Sequence, residues 1–287
     1  MQQWICTQPQ RLYAFLTHCL PLRSQAVRQL VKDGNVRVNN QKIRENTELS
    51  LGDAVQVYLP KSLIPTASVV FLGDRFLVAE KQPAMEVTGD GLTLEALLRG
   101  QGYPTARALH RLDAWTGGLV LFALDDKAEE AGKALFKKQQ ISKGYQCIAR
   151  GIPVPSQGTE NAYLQKNAEQ AKVRVSTKPM PGWLPIQTGY RVLSSQNGAS
   201  LIEVQLYTGR THQIRAHLAF LGHPLLGDDR YGIREWNKQN RVQHPCLWAV
   251  SLEIPADLPG IFNEITGKTF HSAPRFPRHI DIQPQVR

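Results

Sequence analysis

Residues 108–124 read ALHRLDAWTGGLVLFAL, a dense polar loop running straight into an apolar run. The run from Leu119 to Leu124 is short and unbroken, the pattern of a strand buried on both faces. Ahead of it His110, Arg111 and Asp113 crowd against the Gly117-Gly118 pair. A carboxylate at the root of a buried strand must be solvated, paired or working, because leaving it bare in low dielectric is prohibitive. Two adjacent glycines permit a sharp turn or a close approach of the backbone to a ligand. The stretch therefore predicts a loop presenting Asp113 at the mouth of a cleft, rooted in a rigid core strand.

Around this stretch the composition is that of a folded chain. It has 287 residues, 42% of them hydrophobic and 20% charged, enough for one large domain or two. No apolar run approaches the ~20 residues of a membrane span. The opening MQQWICTQPQ has neither the basic start nor the apolar core of a signal peptide. These features predict a soluble, cytoplasmic protein. Cys6, Cys19, Cys147 and Cys246 are scattered without a CxxC pair, which argues against a zinc ribbon or a disulfide framework. The formal net charge of +10 favours a polyanionic partner, most often nucleic acid.

Toward the N-terminus, residues 1–60 read as a separate basic module with seven Lys/Arg against four Asp/Glu. RLYAFLTHCL carries Leu12, Phe15, Leu16 and Cys19 at helical spacing and stops at Pro21. Ser24 is a good N-cap for a second helix, which Gly34 ends. On that helix Ala26, Val27, Leu30 and Val31 form the apolar stripe, and Arg23, Arg28 and Lys32 lie on the exposed side. Val36 and Val38 alternate with polar residues, Asn39-Asn40 signals a turn, and Val55 and Val57 alternate again. Residues 61–67, flanked by prolines, form the expected linker, leaving 68–287 as a second domain.

Within that second domain SVVFLGDRFLVAEK predicts a hairpin through Gly73-Asp74, and Thr93 caps a short helix. DDKAEEAGKALFKKQQ is acidic first and basic last, which complements a helix dipole. Residues 143–149 read as a strand containing Tyr145. Residues 153–185 read as irregular, with AKVRVST the only alternating run. SLIEVQLYTGR is a strand that leads into TGRTHQIRAHLAFLGHPLLGDDRYG. There Thr211 is expected to cap a helix from His212 to Leu221 whose buried stripe is Ile214, Leu218 and Leu221. His212, His217 and His223 lack the i, i+4 spacing of two metal ligands on one helical face, so no metal site is expected. The tail offers the strand CLWAVSLEI and an expected hairpin in IFNEITGKTFHSAP.

HRLD followed by Thr116-Gly-Gly and an apolar strand resembles the catalytic loop of the RluA-type pseudouridine synthases. GRTHQIR with GHPLLGD resembles that family's second signature, and the KxY strand its base-stacking tyrosine. The likeness spans about residues 69–274. The order RLYAFL, RSQAVRQLVKDGNVRVNN, LGDAVQVY resembles the S-four-like RNA-binding domain. These resemblances imply an α+β chain: a bent, mostly antiparallel mixed sheet in a pseudouridine synthase fold, preceded by a small αα-β RNA-binding domain. The implied activity is isomerisation of uridine to pseudouridine in structured RNA, ribosomal or transfer RNA with ribosomal favoured, without cofactor or metal, by a monomer. Asp113 is then the nucleophile, attacking either the ribose anomeric carbon or carbon six of the uracil ring. Arg215 pairs with it, and Tyr145 stacks on the ring. Arg111, His110, Arg210 and His212 contact the RNA at the cleft, as do Arg23, Arg28 and Lys32 on the module. The alternative is a catalytically silent RNA-binding or assembly factor on the same fold.

Overall fold

The computed structural model describes residues 1–282 apart from 21, 23, 61–65, 168–171, 278 and 281. By its contacts the chain separates into two units, Met1–Ala67 with Ala84–Pro104, and Ser68–Pro83 with Thr105–Arg287. The first runs β1 (Gln2–Ile5), β2 (Gln10–Arg11), α1 (Leu12–Cys19), α2 (Ser24–Lys32), β3 (Val36–Val38), β4 (Gln41–Ile43), β5 (Glu48–Leu49) and β6 (Ala54–Val57). Its second segment holds α3 (Leu94–Gly100), capped by the Thr93 side chain on the Ala96 N–H. Val27, Leu30 and Val31 of α2 pack with Leu12, Phe15 and Leu16 of α1, leaving Arg28 and Lys32 exposed. Gly34, at φ +71, closes α2: its N–H reaches the Val31 carbonyl at 2.8 Å while the Asn35 N–H reaches Leu30 at 3.1 Å. Asn39 and Asn40 both take left-handed backbone, the two-residue turn that fits the twist of the β3–β4 hairpin. The strand order is β1-β6-β3-β4. Arg23 and most of the expected linker lie outside the described residues. Residues 84–104 fall with the first unit instead of continuing the second domain. There the Gln101 side chain clamps Ala67, accepting its N–H at 2.6 Å and donating to its carbonyl at 3.1 Å.

The second unit comprises β7 (Ser68–Leu72), β8 (Phe76–Lys81), β9 (Arg107–Ala108), β10 (Gly117–Ala123), α4 (Asp126–Lys137), β11 (Ser142–Arg150), β12 (Gln157–Asn167), β13 (Lys172–Ser176), β14 (Leu184–Gln196), β15 (Ala199–Leu206), α5 (Gln213–Phe220), α6 (Arg234–Gln239), β16 (Leu247–Glu253) and β17 (Thr269–His271). Its eleven-stranded sheet runs β13-β12-β14-β15-β11-β16-β10-β8-β7, with β17 on β16 and β9 on β10. Every pairing among these strands is antiparallel except β10 with β16. Register shifts at Val69/Phe71, Gly144/Tyr145 and Val192/Ser194 bend the strands. This is the bent, mostly antiparallel mixed sheet the sequence implied.

All seven residues of β10 are buried, and Leu119 and Leu121 share a core with Phe76, Val78, Leu135, Leu252 and Phe270. A Cβ on Gly117 would lie 2.2 Å from the Trp248 ring, and one on Gly118, at φ +113, would lie 2.2 Å from the Ala249 carbonyl. Those are the two positions where β10 meets β16 in parallel. At these two positions the glycines let β10 lie close against β16.

Two readings of the sequence are corrected here. Residues 153–185 are not irregular: they contain β12 and β13, an antiparallel pair, and the start of β14. Of the described side chains on β12, only Ala162 and Leu164 are buried, so the strand shows almost no hydrophobic alternation. The first arm of the expected C-terminal hairpin is instead a 3₁₀ turn at Gly260–Phe262, and β17 pairs with β16.

Candidate active site

Asp113 opens a four-residue turn closed by the Thr116 N–H on the Asp113 carbonyl at 3.0 Å. The turn is held from beneath by Lys81, the last residue of β8. Fully buried, Lys81 donates its Nζ to the Ala114 carbonyl at 2.8 Å and the Gln82 carbonyl at 3.0 Å. Upstream, His110 takes over from the short strand β9. Its Nε2 accepts the Leu121 N–H at 3.1 Å, and its ring stacks on Phe136 at 4.5 Å. Burial, helped by the Lys143 charge, pulls His110 down to about 3, so the ring is neutral with its proton on Nδ1. The structure thus engages His110 in the scaffold, while neighbouring Arg111 is exposed.

The strand register brings the tyrosine to the loop. Gly118 and Tyr145 both pair with Ala249, from opposite sides of β16. Two strand spacings therefore separate them, roughly 10 Å between backbones. Tyr145 is buried, and burial together with the Asp113 charge raises its hydroxyl pKa, keeping the phenol protonated.

Arg215 reaches the same place from α5, but its main partner is not the one expected. Its Nε and Nη2 form a bidentate pair with Asp228, at 2.6 and 2.9 Å, and Nη2 also lies 3.4 Å from Asp229. Only Nη1 faces Asp113, at 3.6 Å from Oδ2. The reason is geometric: a guanidinium presents a rigid fork, and Asp228 fills two of its prongs. Asp228 is itself fully buried and accepts the N–H groups of Arg230 and Tyr231 at 2.9 and 3.0 Å. Burial works to raise the Asp228 carboxyl, but Arg215 and those two N–H groups outweigh it and hold the carboxyl below its ordinary range. Burial likewise opposes the Arg215 charge, and Asp228 overcomes it.

His212 stands at the start of α5 in left-handed backbone, φ +55, and the expected Thr211 cap is not formed. Gln213 supplies the missing order. Its Oε1 accepts from the Arg210 N–H and the Thr208 hydroxyl, and its Nε2 donates to the Gln187 carbonyl and Thr188. His212 Nδ1 lies 2.9 Å from the Tyr231 hydroxyl, which accepts the Val173 N–H at 2.9 Å. His212 Nε2 lies 3.8 Å from Asp113 Oδ2. Burial lowers the His212 pKa; Asp113 opposes that, Arg215 and Arg230 add to it, and the ring is neutral. Asp113, Arg215 and His212 thus meet in one cleft, while Arg210 is exposed on the loop before it. The other two histidines have separate partners, His217 on Thr188 and His223 on the Arg150 carbonyl. The described residues contain no group of three or more His, Cys, Asp or Glu side chains placed to hold a metal.

Sequence reasoning did not single out Asp228, Tyr231, Gln213 or Lys81. Asp228 and Tyr231 stood inside the quoted GHPLLGDDRYG, but nothing local marks the first aspartate of that pair as the buried one. Gly227 before it was the available signal: a Cβ there would lie 2.0 Å from the His244 carbonyl, so the chain is tightly packed at that point.

A carboxylate on a tight turn, a fixed arginine and a buried tyrosine thus stand on one bent, mostly antiparallel mixed sheet. Residues 75–220 match the family model described as RNA pseudouridylate synthase, and the chain belongs to that family. It is 31% identical over 251 residues to the ribosomal large subunit pseudouridine synthase C of Vibrio parahaemolyticus, covering 79% of this chain and 78% of that protein. Its identity to the synonymous protein of Rickettsia prowazekii is 30% over 254 residues, covering 79% and 84%. Among solved structures it resembles human RNA pseudouridylate synthase domain containing 1, with a TM-score of 0.59 and 26% identity over 77% of this chain and 95% of that one. The chain is therefore an RNA pseudouridine synthase, an isomerase.

Proposed function

We propose that this chain isomerises uridine in ribosomal large-subunit RNA, with Asp113 as the nucleophile. The observation carrying the assignment is the Arg215 fork: two prongs locked on Asp228 leave the third aimed at Asp113, 3.6 Å away. A cation fixed in this way supports a carboxylate without neutralising it by a tight pair, so the oxygens stay available to attack. Asp113 attacks the ribose anomeric carbon or carbon six of the ring, the glycosidic bond breaks, and the uracil rotates. Carbon five then bonds to the anomeric carbon. The ester to Asp113 breaks (displaced from the sugar, or eliminated from carbon six) to return the carboxylate. The proton lost from carbon five goes to solvent while the freed ring nitrogen takes one up. Tyr145, a neutral phenol, packs against the ring. His212 offers its Nε2–H to an oxygen of the bound nucleotide. The left-handed backbone that aims this group costs on the order of 1 kcal/mol or more, the kind of strain that clusters at working sites.

The flipped uridine leaves a gap in its RNA that the exposed Arg111 is suited to fill, and extrusion costs least in loops and bulges. Residues 1–60 act as an S-four-like RNA-binding module, in which Arg28 and Lys32 meet phosphates without reading sequence. The likeness to large-subunit synthases carries the choice of ribosomal RNA. The test is to map pseudouridines in ribosomal RNA from cells with and without the gene, and from cells carrying Asp113→Asn. Sites lost in the knockout should stay lost with the variant. Full modification by Asp113→Asn would remove the residue from the mechanism.

A further inference from the structure

Beside the catalytic turn lies a pocket of about 310 Å³, at the lower end of the range for small-ligand sites. Trp115, at the corner of the turn two residues after Asp113, stacks on His244 with ring centroids 3.3 Å apart and planes within 5°. Trp248, Phe276 and three prolines continue the apolar lining. Two arginines complete the lining. Arg275 is held by Glu80 and Gln82 with its guanidinium over the Trp248 ring. Arg241 follows α6 at the left-handed position of a Schellman turn, where its N–H meets Lys238 and the Val242 N–H meets Asn237. Glycine adopts that backbone freely and arginine does not, so an exposed cation sits there at a conformational cost. The pocket is linked electrostatically to the nucleophile. Asp229 acts on His244 and touches Arg215, which faces Asp113.

We propose that this pocket binds an unpaired nucleobase of the RNA next to the target uridine, a reading that rests on the function proposed above. The base would stack on Trp115, and Arg241 and Arg275 would take its phosphate. Trp115 is 37% exposed, so its indole can receive a second ring while His244 fixes its orientation. A flat neutral ring followed by an anion matches an aromatic platform edged by two cations, and the chain's charge of +10 favours the same partner. Stacking of this kind accepts any base. The pocket therefore holds the strand on one side of the flipped uridine without selecting sequence.

The probe is a uridine hexanucleotide with one fluorescent aminopurine, whose emission falls when its ring is stacked. The intact protein should quench it, and Trp115→Ala should weaken binding by about 5- to 150-fold, the worth of one base–aromatic stack. Trp115→Phe should retain most of the affinity, and its thermal midpoint compared with that of Trp115→Ala excludes a loss through misfolding. Equal affinity for Trp115→Ala and the parent overturns the proposal. So does quenching that appears only when the chain is ended after Ile282, which would assign the pocket to the protein's own end. Binding of a proline-rich peptide in place of the RNA overturns it as well. Conversion of uridine in ribosomal RNA is measured alongside. A parent protein that quenches the probe but converts nothing would sink the function proposed above and leave the pocket standing.

Discussion

Replacing Arg215 by Met removes a cation from two carboxylates in very different surroundings, and the difference sets the outcome. Asp228 is fully buried and receives two Arg215 bonds, at 2.6 and 2.9 Å. Asp113 has a side chain 25% exposed and lies 3.6 Å from the nearest Arg215 nitrogen. Stranding one member of a buried pair typically costs about 3–5 kcal/mol, or about 6–20 °C of melting temperature for a body of this size. A partly buried pair at 3.6 Å with no hydrogen bond between its members is worth less than the bidentate one, on the order of 1 kcal/mol. Arg215→Met should therefore lose about 3–5 kcal/mol, most of it through Asp228. Adding Asp228→Leu should recover most of that loss, whereas adding Asp113→Leu should recover little. The assay is urea denaturation of the parent, the three single variants and the two double variants, followed by circular dichroism and analysed as two double-mutant cycles. The reasoning fails if the Arg215–Asp228 cycle is additive, or if the Arg215–Asp113 cycle carries the larger coupling.

Asp113→Asn should abolish conversion while RNA affinity stays within a few-fold of the parent, measured by product mapping and filter binding on one RNA. Burial holds His110 and His217 neutral, at about 3 and about 4, while an unfolded histidine titrates near 6.5. The unfolded chain thus binds protons the folded one refuses, so their contribution is complete above about pH 6.5 and lost as pH falls toward the folded values. His110→Gln, which keeps an acceptor for Leu121, should flatten that decline by up to ~1.4 kcal/mol per pH unit in denaturation series between pH 4 and 6.5. Tyr231→Phe removes the hydrogen bond to His212 and should lower kcat by roughly two- to twelve-fold, one hydrogen bond's worth, with KM unmoved; an unchanged kcat would detach His212 from the chemistry. Arg28→Glu with Lys32→Glu should reduce the slope of log affinity against log salt by about 0.7–0.9 for each phosphate the module no longer neutralises. An unaltered slope would give the first unit another role.

Much of the architecture was legible because it is local. The unbroken run in β10, the dipole-ordered charges of α4 and the Gly34 stop each need only a few neighbouring residues to read. Asp113, Arg215 and Tyr145 were found through motifs, whose spacing is also local. What escaped depends on residues far apart. Asp228 and Asp229 look equivalent in the chain, yet Asp228 is fully buried and Asp229 is exposed, because the Arg215 fork and two backbone N–H groups converge on Asp228 alone. Lys81 reads as an ordinary charged strand end, whereas the path of the Asp113 turn brings it the Ala114 carbonyl beside that of Gln82. The strand β12 was missed because pairing with neighbours on both sides, not a hydrophobic face, holds it in the sheet.

The position of β16 has a consequence for assembly. This strand lies between β10 and β11, so among the described strands it alone joins the half-sheet β10-β8-β7 to the half-sheet β13-β12-β14-β15-β11. Gly117 pairs with Trp248, and 130 residues of chain lie between them. During synthesis at about 5–20 residues per second, those residues take roughly 7–26 s to appear. Over that interval β8 and β10 can zip together, and so can β11, β14 and β15, but the turn bearing Asp113 and the strand bearing Tyr145 have no common neighbour. Closing so long a loop costs entropy in refolding as well. The two half-sheets, one leading to the Asp113 turn and the other carrying Tyr145, are thus synthesised apart and are joined only when a late strand enters between them.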